Sequence, residues 1–235
     1  MYQDKRVLAV VPARGGSKGL RLKNLRIVAG RPLLVHVAEV ISAIPFFDAA
    51  VVSTDHPKIS EIAVDHGLQV PFMRPPELSG DRVGDHPVLC HALSEMERIQ
   101  NVVFDVIVML QPTSPLRTCE HVTNCVEKLV EGGFDSVWTV SEADLKYHPL
   151  KQLKLTDDDC LQLHDPAGGN VIARQQLEQL YYRNGAAYAL SRQCLVEQGT
   201  MLGEHSSAIV VAEEMVSIDT EEDLRRVEQL MDRPE

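Results

Sequence analysis

Two unbroken apolar runs, at residues 7–11 and 106–110, constrain the fold of this chain more than any other feature. Runs this short that do not alternate with polar residues belong to strands covered on both faces. Around them, apolar residues recur at helical spacing. The spacing predicts helices over 32–44, stopped by Pro45, over 57–66, closed by Gly67, over 86–98, and over 120–130, ended by Gly132 and Gly133. Further strands are expected at 49–52, 69–73, 136–140, 186–190 and 208–211. A last helix over 221–231 follows a start signal at Asp219-Thr220-Glu221-Glu222. Strands alternating with helices imply right-handed crossovers and a three-layer, Rossmann-like α/β fold with an open, mostly parallel sheet. In such sheets ligands lie beyond the carboxyl ends of the strands. From about 142 to 180 the regularity breaks, with short alternating stretches at 153–155 and 161–163 and a turn at Asp157-Asp158-Asp159. That segment reads as an excursion from one domain that spans residues 1–235.

Composition narrows the function. Twenty-three Lys and Arg against 34 Asp and Glu leave a net charge of −11, which argues against a general nucleic-acid binder or a basic membrane-surface protein. No stretch approaches the roughly 18 apolar residues of a membrane span. No basic-then-apolar leader is seen, and the five cysteines, an odd number without a CxxC pair, read as reduced. A cytoplasmic protein is expected.

Against this acidic background, the loop after the first strand is cationic. Pro12-Ala13-Arg14-Gly15-Gly16-Ser17-Lys18-Gly19-Leu20-Arg21-Leu22-Lys23-Asn24 places four cations among three glycines. Glycines allow close backbone approach and can aim several N–H groups into one concavity. A cradle for a triphosphate is the functional reading, and a solvated basic loop the alternative. Neither GxxxxGK[ST] nor GxGxxG is present, which separates the chain from P-loop NTPases and dinucleotide-binding dehydrogenases.

The segment VVPARGGSKGLRLKNL at 10–25 closely resembles the signature of the acylneuraminate cytidylyltransferases, the CMP-sialic acid synthetases. The resemblance continues in order through 51–78, LQPTSPLRT at 110–118, YHPLK at 147–151, ARQQL and NGAAY within 173–188, and SIDTEEDL at 217–224. It implies a nucleotide-diphospho-sugar transferase-like fold. It also implies transfer of CMP from CTP to the anomeric hydroxyl of a nonulosonic acid, with release of pyrophosphate and with Mg²⁺ (or Mn²⁺) as cofactor. A homodimer is expected, with 142–180 as its arm.

Residue by residue, the resemblance implies that Ala13, Arg14, Lys18, Lys23 and Asn24 bind CTP, and that Arg74 and the backbone near Ser79 and Gly80 read the cytosine edge. Relatives often have a serine where Gly80 stands. Arg14, Lys23 and Asp219 are the expected catalytic residues, and Asp219 the metal ligand. Gln111, Asn184 and Tyr188 are expected to touch the sugar, and Lys151 and Arg174 to reach a partner's site. Arg117 is read either as a sugar contact or as a helix-start ion pair. Two departures stand out. Ser217 occupies the first acid of an IDID-type run, and Arg183 sits one place from the arginine of relatives, which on a strand means the opposite face. They keep open another 2-keto sugar acid (legionaminic, KDN or Kdo-like) and a catalytically weakened member acting as a binding module. Metal binding by His86, Cys90, His91, His121 or Cys125 is not expected, because their spacing is irregular.

Overall fold

A computed structural model describes residues 1–17 and 19–232. In chain order its elements are β1 (Val7–Pro12), β2 (Ile27–Val28), β3 (Arg31–Pro32), α1 (Leu33–Ala43), β4 (Phe47–Ser53), α2 (Pro57–Asp65), α3 (Asp85–Gln100), β5 (Val106–Met109) and α4 (Cys119–Gly132). Then follow β6 (Ser136–Glu142), β7 (Leu153–Leu155), β8 (Leu161–Leu163), β9 (Tyr181–Ser191), α5 (Arg192–Val196), β10 (Ser206–Val210) and α6 (Glu221–Met231). Short 3₁₀ turns punctuate the loops.

Six strands form the main sheet in the order β10-β6-β9-β5-β1-β4. All its pairings are parallel except those of β9, which runs antiparallel to both β5 and β6. The apolar runs sit at its centre for the reason their composition gave. Val7, Ala9 and Val11 of β1 feed a core shared with α1, α2 and α4, while Leu8 and Val10 feed a second core under α3 and α5. Ile107 and Val108 divide the same way on β5 and are fully buried, each side chain contributing about 1.5–3 kcal/mol by leaving water.

One expected strand does not form. Residues 69–73 contribute a single bridge, Val51 with Gln69, and no extended ladder. Gly67 turns the chain at φ +80 after α2. The segment then runs past the edge strand β4 toward the proline-rich loop, where Pro71, Pro75 and Pro76 lack donors for a ladder.

Strand β9 holds a local insertion that matters for the site. Trp138 pairs with Tyr188 and Val140 with Arg183, so Thr139 alone faces residues 184–187. The extra residues are absorbed around Gly185 at φ +77. A Cβ there would lie 2.4 Å from Ser114 Oγ, so the position demands glycine on both counts. Thr139 Oγ1 donates to Asn184 Oδ1 and accepts from the Ala187 N–H, closing the bulge.

Residues 143–180 leave the sheet as an arm carrying the antiparallel pair β7–β8. Leu155, Leu161 and Ile172 on it are 62%, 69% and 93% exposed. Among the described residues no helix is long and apolar enough to cross a membrane.

Candidate active site at the carboxyl ends of the strands

A cavity of about 310 Å³ opens over the carboxyl ends of β1, β4 and β5. Arg14, Lys23, Asn24, Arg74, Gly80, Gln111 and Asp219 all line it. Seven expected site residues, drawn from four separate loops, therefore meet in one place. Ala13 does not present its side chain there; it is buried, and its N–H donates to the Ser53 carbonyl. Lys18 lies outside the described residues.

Two cations of the first loop, Arg14 and Lys23, are already held by carboxylates. Arg14 Nη1 lies 2.6 Å from Asp81 Oδ1, and Lys23 Nζ lies 2.7 Å from Asp219 Oδ1. Asp55 Oδ1 accepts from the Gly15 N–H at 2.7 Å. Asn24 is buried, and its side-chain amide donates to the Arg14 carbonyl, which fixes the loop backbone rather than pointing outward. Gly19 packs so closely on the segment before α6 that a Cβ would sit 2.7 Å from the Asp219 carbonyl oxygen. The loop and Asp219 are thus held together by both backbone and charge.

Asp219 is not the cap of α6. Thr220 is the N-cap, accepting from the Asp223 N–H, and Asp223 Oδ2 accepts in return from the Thr220 N–H. The Asp219 carboxylate is 72% exposed and so is available to a ligand. Beside it, the Ser217 hydroxyl donates to Thr113 Oγ1 at 3.4 Å.

Arg74 is buried, with Nε donating to Ser53 Oγ at 3.0 Å and an Nη to the Ser53 carbonyl. Burial pulls its pKa below the usual arginine value. Arg117 lines neither cavity of the site and makes no helix-start ion pair among the described residues. It is fully buried and donates to the carbonyls of Gln111, Gly185 and Ala186, tying the β5 loop to the bulge of β9. Desolvation without a carboxylate partner brings its pKa down to about 9.

A second cavity, about 200 Å³, adjoins the first and is lined by Trp138, Arg183, Tyr188, Met109 and Met201 among others. Tyr188 is here as expected. Asn184 borders the cavity, but its amide is engaged with Thr139 and Ser141. Arg183 lies on the opposite face from position 182, as its one-place shift implies, and that face is the one toward this cavity. The bulge inverts the alternation between Arg183 and Tyr188, so both line the same cavity, and the Arg183 guanidinium carbon lies 5.9 Å from the Trp138 ring centroid. Tyr182 instead lines a separate cleft with Glu142 and Glu214.

Asp85, the first residue of α3, lines both cavities and was missed by the sequence reading. Its carboxylate accepts from Gln111 Nε2 at 3.3 Å, and burial raises its pKa against the opposing effect of Arg183 and Arg74. Lys151 and Arg174 are exposed on the arm and line neither cavity.

A family model described as "Cytidylyltransferase" matches residues 8–232. The chain belongs to the cytidylyltransferase family. Within that family it is 32% identical over 224 residues to an N-acylneuraminate cytidylyltransferase of Streptococcus agalactiae serotype V, covering 94% of this chain and 52% of that protein. The chain thus spans about half the length of such relatives. It is 30% identical to the CMP-N,N'-diacetyllegionaminic acid synthase of Legionella pneumophila, with 97% of each chain covered. In fold it is similar to a CMP:2-keto-3-deoxy-manno-octonic acid synthetase solved with CTP, at TM-score 0.69 and 19% identity, covering 96% of this chain and 98% of that one. The three-layer, nucleotide-diphospho-sugar transferase-like architecture expected from the sequence is therefore the one found.

Proposed function

We propose that this chain is a nucleotidyltransferase that moves CMP from CTP to the anomeric hydroxyl of a nonulosonic, sialic-acid-like sugar and releases pyrophosphate. The observation that carries this reading is the joining of a cation-lined cavity to a second, aromatic and polar one above the same strand ends. CTP occupies the first, with its triphosphate along Arg14 and Lys23. These side chains act on the departing pyrophosphate, where negative charge grows during transfer. Arg74 and the backbone at Gly80 read the base. Gln111 and Tyr188 hold the sugar, and Asn184 contributes by shaping the bulge.

Among the described residues no group of three or more His, Cys, Asp or Glu is arranged to hold a metal ion by itself. A hard cation still fits beside Asp219, an exposed carboxylate on the cavity wall, provided that nucleotide oxygens and water complete its shell. Mg²⁺, or Mn²⁺, held by Asp219 would supply positive charge against the nucleotide phosphates. The reading places the protein in the cytoplasm, where CTP is available.

Pyrophosphate release tests the assignment. With a panel of N-acetylneuraminic, N,N'-diacetyllegionaminic, KDN and Kdo sugars, CTP is expected to be used well above UTP, ATP and GTP. Equal turnover with UTP defeats the cytidylyltransferase reading, and release with no sugar of the panel supports a binding module instead.

The arm is proposed to pair two copies across a two-fold axis, since its exposed leucines and Ile172 offer an apolar face. Lys151 and Arg174 would then act in the partner's site. Light scattering is expected to show a dimer, and Leu155→Asp with Leu161→Asp to give a monomer of much reduced activity. A fully active monomer sinks the shared-site proposal.

A further inference from the structure

The two cavities share three lining residues, Asp85, Gln111 and Ser217. A transfer that joins the contents of the two cavities takes place at this common border. Gln111 is neutral and has no basic atom for a proton. Ser217 has a hydroxyl already directed at Thr113. Asp85 alone of the three carries a carboxylate. It is fixed on the first turn of α3, a helix of 16 residues, and oriented by the Gln111 amide at 3.3 Å.

We propose that Asp85 accepts the proton of the sugar hydroxyl that attacks the α-phosphate, an inference that rests on the cytidylyl-transfer reading. In this step the anomeric oxygen forms a bond to the α-phosphorus. The bond from that phosphorus to the oxygen bridging to the β-phosphate breaks, and its electron pair leaves with pyrophosphate. The hydroxyl proton passes to the Asp85 carboxylate. No oxidant, reductant or further reactant is needed.

The surroundings suit a proton acceptor. Arg74, from the loop between α2 and α3, and Arg183 and Tyr188, from β9, are the titratable groups facing Asp85, with Gln111 from the β5 loop. The two arginines favour the carboxylate, while burial strengthens its hold on a proton. Because the working form is the carboxylate, the rate falls as pH falls through its pKa. The fall comes at a higher pH than an ordinary aspartate would give.

The test is the single-turnover rate of pyrophosphate release against pH, with CTP and the best sugar of the panel, for the parent, Asp85→Asn, Asp85→Glu and Gln111→Ala. Asp85→Asn is expected to lose about 100-fold or more, within the usual range for a general base, and to lose the acid limb of the profile. Calorimetric titration with CTP is expected to show binding close to the parent's. Gln111→Ala is expected to be slower but to keep the limb. An Asp85→Asn protein that keeps the parent's acid limb, or its rate, overturns the proposal. Should that variant not fold, Asp85→Glu decides: the limb must move with the displaced carboxylate, and an unmoved midpoint overturns the assignment. A parent with no CTP-dependent release on any sugar defeats the cytidylyl-transfer reading itself, whereas an active parent with an indifferent Asp85 defeats only this step.

Discussion

Asp219→Asn is expected to lower turnover more than any other single change in the nucleotide cavity, with thermal stability nearly unchanged. The carboxylate is 72% exposed, and solvent on its side screens the ion pair with the 17%-exposed Lys23, so the fold loses little. The helix behind it is capped by Thr220 and Asp223, not by Asp219, so the start of α6 stays intact. What is lost is the negative charge at the point where the first loop meets the segment before α6. Ser217, standing where relatives have a second acid, supplies no carboxylate in its place. Two other carboxylates near the first loop are engaged: Asp55 accepts from Gly15 and Asp81 holds Arg14. The check is turnover against Mg²⁺ concentration for the parent, Asp219→Asn and Ser217→Asp. The asparagine variant should not recover at any concentration, and the added acid should tighten the metal dependence or leave it unchanged. Parent-like activity of Asp219→Asn at every concentration removes Asp219 from the chemistry.

Lys23→Ala and Arg14→Ala are each expected to lower turnover ten-fold or more while the protein remains folded. A charge-assisted hydrogen bond is worth about 1.5–3 kcal/mol, and each 1.36 kcal/mol is roughly a factor of ten in rate. The carboxylates that hold the two cations, Asp219 and Asp81, stand at the surface, so no buried charge is stranded when the cation goes. Lys23→Met keeps the stem and removes only the charge; it should match the alanine variant in rate and the parent in melting temperature. Near-normal rates for both positions return the loop to a solvated basic surface.

The sequence made this loop legible because cations clustered among glycines are uncommon in a chain of net charge −11. It also made the helices legible, since periodicity and glycine or proline stops coincide at α1, α2 and α4. Asp85 was not legible. An acid in the first turn of a helix is ordinary, because it complements the helix dipole wherever it stands. Only the fold shows that this one separates two cavities. The meeting of Arg183 with Tyr188 in one cavity was not legible for a different reason. Counting by twos along β9 assumes an unbroken ladder, and Asn184-Gly185 breaks it. The strand expected at 69–73 failed because extended propensity without a donor row yields one bridge and no ladder.

The arm leaves the sheet at Glu142 and returns at Tyr181, and these two residues are paired neighbours across antiparallel strands. In topological terms the whole segment is therefore the loop of a hairpin, however elaborate its contents. A hairpin loop can lengthen, shorten or be exchanged without altering the register of the strands that carry it. The surface proposed for self-association is thus a module plugged into one turn, and descendants of this fold can rewrite their quaternary structure while inheriting the nucleotide cavity unchanged.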